Sequence, residues 1–183
     1  MKKKKLILPL VLIGLSLTSC NGDKLSSYNK NIKNSIKKVA SVNLVISIKD
    51  QNHEVFNLSR SVIKQEYDGN ISYSCEDQIS KLNSSYVLEK TTDKNTYNQV
   101  EKALLFNFNL SSKVVDSYDT NDNVLSGVVK NENISSFTNL EVTSINGDLN
   151  FEIAISEKKI TKFNCTYTTK SNKSVSIETV YNY

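Results

Sequence analysis

The C-terminal stretch decides the fold, and from Leu149 to Tyr183 it reads LNFEIAISEKKITKFNCTYTTKSNKSVSIETVYNY. Apolar and polar residues alternate through three segments, which is the period of β-strands that keep one face in water. Glu157–Lys159 and Lys170–Lys173 break the alternation and predict turns. The residues expected on one face are Leu149, Phe151, Ile153, Ile155, Phe163, Cys165, Tyr167, Val175, Ile177, Thr179, Tyr181 and Tyr183. The stretch therefore predicts an antiparallel meander.

The meander is expected to begin one strand earlier. Asn146–Gly147–Asp148 has the composition of a tight hairpin turn, so it predicts a turn between strands at Leu140–Ile145 and Leu149–Ser156. Further alternating segments lie nearer the N-terminus. Their apolar positions are Val42, Leu44, Ile46 and Ile48, then Phe56, Leu58 and Val62, then Ile71, Tyr73 and Cys75, then Tyr86 and Leu88.

Two segments have helical spacing. Leu25, Tyr28, Ile32, Ile36 and Val39 recur at steps of three and four, with Asp23 or Ser26 as the expected cap. Thr96 and Gln99 fit a capping box, and Tyr97, Val100 and Leu104 follow at helical spacing. The expected fold class is therefore α+β, with a curved antiparallel sheet, an N-terminal amphipathic helix and a second helix packed on one face. A length of 183 residues suits one domain.

The N-terminus carries an export signal. Lys2–Lys5 precede an apolar run, Leu6–Leu17, whose length of about 18 Å as a helix is too short for a bilayer core of about 30 Å. A basic start and a short apolar segment before small residues are typical of a cleaved secretory signal, and an uncleaved anchor helix would need a longer run.

The residues at the expected cut, Leu17-Thr18-Ser19-Cys20, resemble the lipobox of bacterial lipoproteins. The resemblance implies cleavage between Ser19 and Cys20, a diacylglyceryl thioether on Cys20 and acylation, for example with palmitate, of the new amine. The alternative is an ordinary signal peptide with an accidental cysteine. The expected organisation is a signal peptide at 1–19, a lipidated tether at 20–23 and one α+β domain at 24–183. The protein is then expected on the extracytoplasmic face of the cell membrane.

The charge of the chain changes with cleavage. Loss of Lys2–Lys5 leaves 19 basic residues against 19 acidic ones, so the net charge of +4 belongs to the precursor and does not indicate a nucleic-acid partner. Five lysines remain near the anchor, at positions 24, 30, 33, 37 and 38. They are expected either to touch anionic headgroups or to form the solvated face of a helix that packs on the sheet.

Two cysteines remain after Cys20. Cys75 and Cys165 both fall in phase with buried positions, and an exported chain permits a disulfide between them. The alternative is two reduced thiols that act as small buried apolar groups.

Few residues suggest a polar site. Arg60 is the only arginine and lies in phase with Phe56, Leu58 and Val62, where it could clamp a carboxylate or phosphate, unless a bulge turns it outward.

Asp119, Asn121 and Asn123 match the opening of a calcium loop, but Val124 and Lys130 stand where glycine and glutamate are required, so a surface turn and no metal site is expected. His53, the only histidine, lies in a predicted turn. No catalytic residues and no cofactor are expected.

The order of elements resembles that of half-barrel carrier lipoproteins of bacterial envelopes, in which a curved sheet wraps helices around a cavity for acyl chains. The resemblance implies carriage of a lipid or another apolar ligand. We therefore expect a membrane-anchored lipoprotein with a non-catalytic binding role. The alternative is a surface adhesion or envelope protein-interaction module, in which acidic strands and exposed Tyr181 and Tyr183 contact a partner.

Overall fold

A computed structural model describes residues 22–97, 109–138 and 144–183. Over these ranges the chain forms one antiparallel sheet with short helical segments. The strands are β1 (Ser41–Asp50), β2 (His53–Tyr67), β3 (Asn70–Leu82), β4 (Leu88–Tyr97), β5 (Ser117–Asn121), β6 (Val124–Val129), β7 (Ile145–Ser156), β8 (Lys159–Thr169) and β9 (Ser174–Asn182). The helices are α1 (Gly22–Ile36), a 3₁₀ turn (Asn131–Asn133) and α2 (Ile134–Phe137).

The strand order is β4-β3-β2-β1-β9-β8-β7-β6-β5, and every neighbouring pair is antiparallel. Two meanders, β1–β4 and β5–β9, are thus joined by the pairing of the first strand with the last. The sheet is open: within the described residues, β4 and β5 form its two edges.

The predicted N-terminal helix is present as α1, and its apolar side faces the sheet. Leu25 and Ile32 are buried, and the helix packs mainly on β8. The helix ends at Ile36, so Val39, which was expected on it, lies in the connection to β1, where it is also buried. Burial of one apolar stripe is what stabilises a helix of this length, because propensity alone is marginal in water. Within the described residues the helix begins at Gly22, so Asp23 and Ser26, the two expected caps, both lie inside it.

The alternating segments form strands as expected, with their apolar positions on one face. Leu44 pairs with Thr179 of β9, and Ile153 pairs with Phe163 of β8. These side chains and their neighbours lie on one face of the sheet, which we call the inner face. They form the core beneath α1 and α2. Leu125, Ile153 and Phe163 are completely buried there.

The prediction of a second helix is wrong for its first residues. Thr96 and Tyr97 belong to β4, which pairs with β3 along its whole length, whereas Gln99, Val100 and Leu104 lie outside the described residues. Among the described residues, helices therefore contribute less than the α+β expectation implies, since α1 and α2 contain 15 and 4 residues. The physical reason is that β4 is an edge strand, and its polar residues leave no period of two to recognise.

The predicted hairpin turn at Asn146–Asp148 is also wrong. These residues lie inside β7, where the pairing with β8 shifts register between Asn146 and Asn150. Gly147 adopts a φ of +82°, and Asn131 satisfies the bulge by donating from its side chain to the Gly147 carbonyl, 2.9 Å away, and from its backbone to Asp148. Residues that adopt a positive φ readily, such as those at Asn146–Asp148, therefore occur in a bulge as well as in a hairpin turn.

The described helices include none with the length and apolar character that a membrane crossing requires. Ser19 and Cys20 lie outside the described residues, so the lipidation of Cys20 stays a prediction.

Candidate ligand-binding groove

A groove lies at the end of the sheet where the β1–β2 turn, the β3–β4 loop and the β8–β9 turn meet, and we call it the tip groove. Its volume is about 730 Å³. The lining residues are Ile48, Asp50, Gln51, His53, Val55, Phe56, Lys81, Leu82, Tyr86 and Lys173. A second hollow of about 610 Å³ shares His53, Leu82 and Tyr86 with it, so the two form one continuous depression.

The β1–β2 hairpin supplies one wall of the tip groove. Gln51 and Asn52 adopt φ values of 47° and 72°, which closes the hairpin with two residues in the geometry that fits twisted strands. A bulge follows, because Ile48 pairs with Phe56 but Lys49 pairs with Glu54. The extra residue, Val55, lines the groove together with Ile48 and Phe56.

The β3–β4 loop supplies the other wall, and Asn83 organises it. The Asn83 side-chain oxygen accepts hydrogen bonds from the amides of Ser85 and Val87, each 2.9 Å away. Its backbone donates to the Val87 carbonyl and accepts from the Tyr86 amide. Tyr86 has a φ of 60°, a conformation that costs a bulky residue free energy and persists only where the surroundings enforce it.

This loop presents apolar side chains to water. Tyr86 is 85% exposed, Val87 58% and Leu88 40%. The sequence contained the signal, three consecutive apolar residues after Asn83-Ser84-Ser85, although Tyr86 was assigned to a strand. We call residues 83–88 the tip loop.

Charged groups border the apolar floor. Lys81 and Lys173 line the groove, and the Lys173 ammonium lies 3.9 Å from Asp50. Glu54 lies beside the second hollow, and hydrogen bonds from Asn57 and then Ser47 lower the pKa of its carboxyl group. The groove therefore offers an apolar floor with ionised groups at its border, which suits a molecule with one apolar and one polar part.

Arg60 lies on the inner face, as its phase predicted, and no bulge turns it outward. It pairs across β2 and β3 with Asp77, and its Nε and Nη2 atoms each lie 2.5 Å from a carboxylate oxygen. Arg60 is 22% exposed at its side chain and Asp77 8%. The hydrogen bonds from Arg60 hold the pKa of Asp77 below its ordinary value, against the opposing effect of burial. The expected clamp thus binds a carboxylate of its own chain, four residues along β2 from Phe56.

Cys75 and Cys165 are free and buried, so the structure has the second of the two alternatives, a pair of reduced thiols. They lie on β3 and β8, which are four strand spacings or about 19 Å apart along the sheet. Burial, together with a hydrogen bond to Asp77, raises the pKa of Cys75 to about 11. Burial alone raises the pKa of Cys165 to about 12.

The tyrosines expected at a protein-binding surface differ from each other. Tyr181 faces the core and is only 5% exposed, so it was wrongly expected at the surface. Tyr183 is 40% exposed, but its hydroxyl donates to the Ile160 carbonyl, 2.8 Å away, and Lys159 lies over its ring. These contacts give Tyr183 a structural role at the end of β9.

The remaining expected sites lie at the surface. Asp119 and Asn121 belong to β5, and Asp122 and Asn123 form the turn to β6. Another hollow, of about 670 Å³, lies across β5–β9 and is lined mainly by small polar side chains with Asp119, Glu152 and Glu178. Among the described residues no group of histidine, cysteine and carboxylate side chains has the arrangement of a metal site.

No protein family matches the chain, and no curated protein matches it. Two solved structures show a distant likeness, and both are redesigned beta barrels. One, mFAP1 bound to DFHBI, is 11% identical, with a TM-score of 0.24, over 81% of this chain and 98% of its own. The other is 6% identical, with a TM-score of 0.24, over 81% of this chain and 96% of its own. Likeness at this level carries no functional argument.

Proposed function

We propose that this chain is a membrane-anchored extracytoplasmic lipoprotein with a non-catalytic binding role, and that the tip groove takes a lipid or another apolar ligand. The observation that carries the proposal is the groove itself, with Ile48, Phe56 and Leu82 as its floor and exposed Tyr86 at its lip. Its volume of about 730 Å³ lies within the usual range of small-molecule sites. The ionised groups at its border would face the polar part of such a ligand.

The apolar floor sets the expected affinity. Each buried methylene contributes about 0.8 kcal/mol, so about ten methylenes of an acyl chain would contribute about 8 kcal/mol. That free energy corresponds to a Kd of about 1 µM before the cost of immobilising the chain is subtracted. We therefore expect micromolar or weaker binding of long-chain fatty acids and little binding of short ones.

A binding assay tests the groove. The chain from Asn21 onward is titrated with a fluorescent long-chain fatty acid, and Phe56→Ser is compared with Ile63→Ser. Both positions lie on β2, but Ile63 is 51% exposed and points to the opposite face of the sheet from Phe56. The proposal expects saturable binding that Phe56→Ser weakens and Ile63→Ser leaves unchanged. Equal effects of the two substitutions, or no saturable binding by the unsubstituted chain, would refute it.

The anchor has its own test. We expect radioactive palmitate to label the wild-type chain in cells and Cys20→Ser to remove both the label and the membrane association. Cys75→Ser serves as the matched control, because that thiol is buried in the folded domain. Palmitate label that persists in Cys20→Ser would contradict the proposed lipidation site.

The second candidate is an envelope protein-interaction module. The packed inner face favours it, because Leu125, Ile153 and Phe163 are completely buried and fill the space beneath the helices. In that case the fatty acid would not bind, and a crosslinker placed at Tyr86 would capture one defined protein.

We also propose that the sheet curves around its helices, as in the half-barrel carriers. The burial of inner-face residues from both meanders against α1 and α2 supports this shape.

A further inference from the structure

We infer that the tip loop enters the headgroup region of an anionic lipid bilayer, so that the tip groove opens towards the membrane. The contact shares Tyr86 with the proposed ligand groove, and it rests on the proposed anchor to bring the domain to the bilayer. The partner that we infer for the tip loop is the lipid bilayer.

Among the described residues, the tip loop is the place where three consecutive large apolar side chains are all exposed. Tyr86, Val87 and Leu88 are consecutive and all exposed, and Tyr86 lines both hollows of the tip groove. At the opposite end of the sheet Tyr67 is just as exposed, at 86%, and Ile63 and Ile71 of the same hairpin are 51% and 39% exposed, but polar residues and Gly69 separate these three along the chain. Contiguous exposed apolar residues are typical of an interaction surface, whereas exposed apolar residues that occur singly are normal.

Three backbone amides of the tip loop already have hydrogen-bond partners within the loop. The amides of Ser85, Tyr86 and Val87 all donate to oxygen atoms of Asn83, at 2.9–3.0 Å. A backbone donor left without a partner costs several kcal/mol outside water, so most loops cannot enter a bilayer. Here Asn83 supplies those partners, and the apolar side chains can leave water without breaking the hydrogen bonds.

Lysines surround the tip loop. Lys81 and Lys90 flank it in sequence, and Lys170 and Lys173 belong to the neighbouring β8–β9 turn. With Lys49 they number five, against four carboxylates, those of Asp50, Glu54, Glu89 and Asp148, the last of which shares a hollow with Lys49. The immediate surroundings of the tip loop therefore carry one excess positive charge, which favours an anionic surface.

The direction of α1 brings the start of the described chain to the same end of the sheet. The C-terminal part of α1 lies where β8 begins, since the Ile160 amide donates to the Ser35 hydroxyl, 3.2 Å away. Six residues earlier, the Asn29 side chain donates to Asn109.

The contacts of Asn109 indicate the direction in which the helix runs. The Asn109 amide donates to the carbonyl of Phe137, whose ring packs on that of Phe163 at 6.5 Å. Phe163 follows Ile160 along β8, and β8 ends beside the turn that holds Lys173. The N-terminus of α1, at Gly22, thus points to the tip end, and Cys20 precedes Gly22 by two residues.

Single tryptophans test the inference, because the chain contains none. The full lipidated chain with Tyr86→Trp or with Tyr67→Trp is reconstituted into vesicles of phosphatidylglycerol and phosphatidylcholine, with and without brominated acyl chains. The two tyrosines have matched exposure at opposite ends of the sheet, and an aromatic residue replaces an aromatic residue in both. Flotation of the vesicles reports separately whether the chain is anchored.

We expect emission from Tyr86→Trp to shift to shorter wavelength and to be quenched by the brominated lipid, and emission from Tyr67→Trp to keep its aqueous wavelength and intensity. Replacement of phosphatidylglycerol by phosphatidylcholine should reduce the quenching. An unquenched tryptophan at position 86 in vesicles that carry the chain overturns the inference, as does equal quenching at both positions. Fatty-acid binding is measured separately on the chain that keeps Tyr86, so failure here is distinct from failure of the proposed groove.

Discussion

The ion pair between Arg60 and Asp77 gives the sharpest test of the interior. Asp77→Asn keeps the shape of the side chain but removes the charge that receives two hydrogen bonds from Arg60. Removal of one partner from a fully buried pair costs 3–5 kcal/mol, and we reduce this to about 2–3 kcal/mol because the Arg60 side chain is 22% exposed. For a domain of this size the loss corresponds to a fall in Tm of about 5–10 °C.

Urea unfolding of the chain from Asn21 onward, followed by circular dichroism, measures this loss. The matched control is Glu76→Gln, since Glu76 neighbours Asp77 and pairs with Lys94 in an exposed salt bridge of 3.2 Å. We expect the control to change the free energy of unfolding by less than about 1 kcal/mol. The double substitution Arg60→Met with Asp77→Leu should be more stable than either single one, because no buried charge is left alone. If Asp77→Asn costs no more than the control, the pair has no role in stability.

The pH dependence follows from the same pair. Arg60 holds the pKa of Asp77 below its unfolded value, so the pair contributes its full stability above about pH 4. That contribution is lost as the pH falls through the folded pKa. The difference in unfolding free energy between wild type and Asp77→Asn should therefore shrink as the solution is acidified below pH 4, and a difference that stays constant down to pH 2 would contradict this sign.

Three further outcomes follow from packing and burial. Gly127→Ala should destabilise the fold by about 1–3 kcal/mol in urea unfolding, because its Cβ would lie 2.6 Å from the Ser117 carbonyl oxygen and 2.7 Å from the Phe151 ring; a neutral result would mean that both the backbone of β5 and the ring can move aside. Phe163→Ala should cost about 3–5 kcal/mol, since the ring is completely buried, and a loss below about 1 kcal/mol would show that the core is loosely packed. Cys75 and Cys165 should resist maleimide at pH 8 in the folded chain and react fully in denaturant, as counted by intact mass; rapid labelling of the folded chain would show that the sheet opens readily.

Strands with one solvent-exposed face could be predicted from the sequence, because burial of every second residue produces an alternation of apolar and polar residues. Ile177 and Tyr181 on β9 are buried as that pattern requires. The edge strand β4 could not be predicted in this way, because polar residues occupy both of its faces. Its sequence pattern does not differ from that of a loop or of an exposed helix surface. Asn146–Asp148 was misread because a bulge and a hairpin turn require the same residues with positive φ, and only Asn131, far away in sequence, decides between them.

The candidate site was harder to predict than the fold. The phase of Arg60 was read correctly, but its partner Asp77 depends on the register between β2 and β3, which no local pattern specifies. One signal was present: Asp77 continues the alternating set of Tyr73 and Cys75, so it had to face inward. The tip groove was missed because three connections that are distant in sequence build it.

The most direct test of the proposed function is to locate the ligand. A photoactivatable long-chain fatty acid is irradiated with the full lipidated chain in vesicles, and peptide mass spectrometry identifies the labelled residues. The proposal predicts saturable labelling of peptides that contain Phe56 and Leu82–Leu88, displaced by unlabelled fatty acid. Labelling confined to peptides of α1 and β8, or labelling that unlabelled fatty acid does not displace, would contradict it.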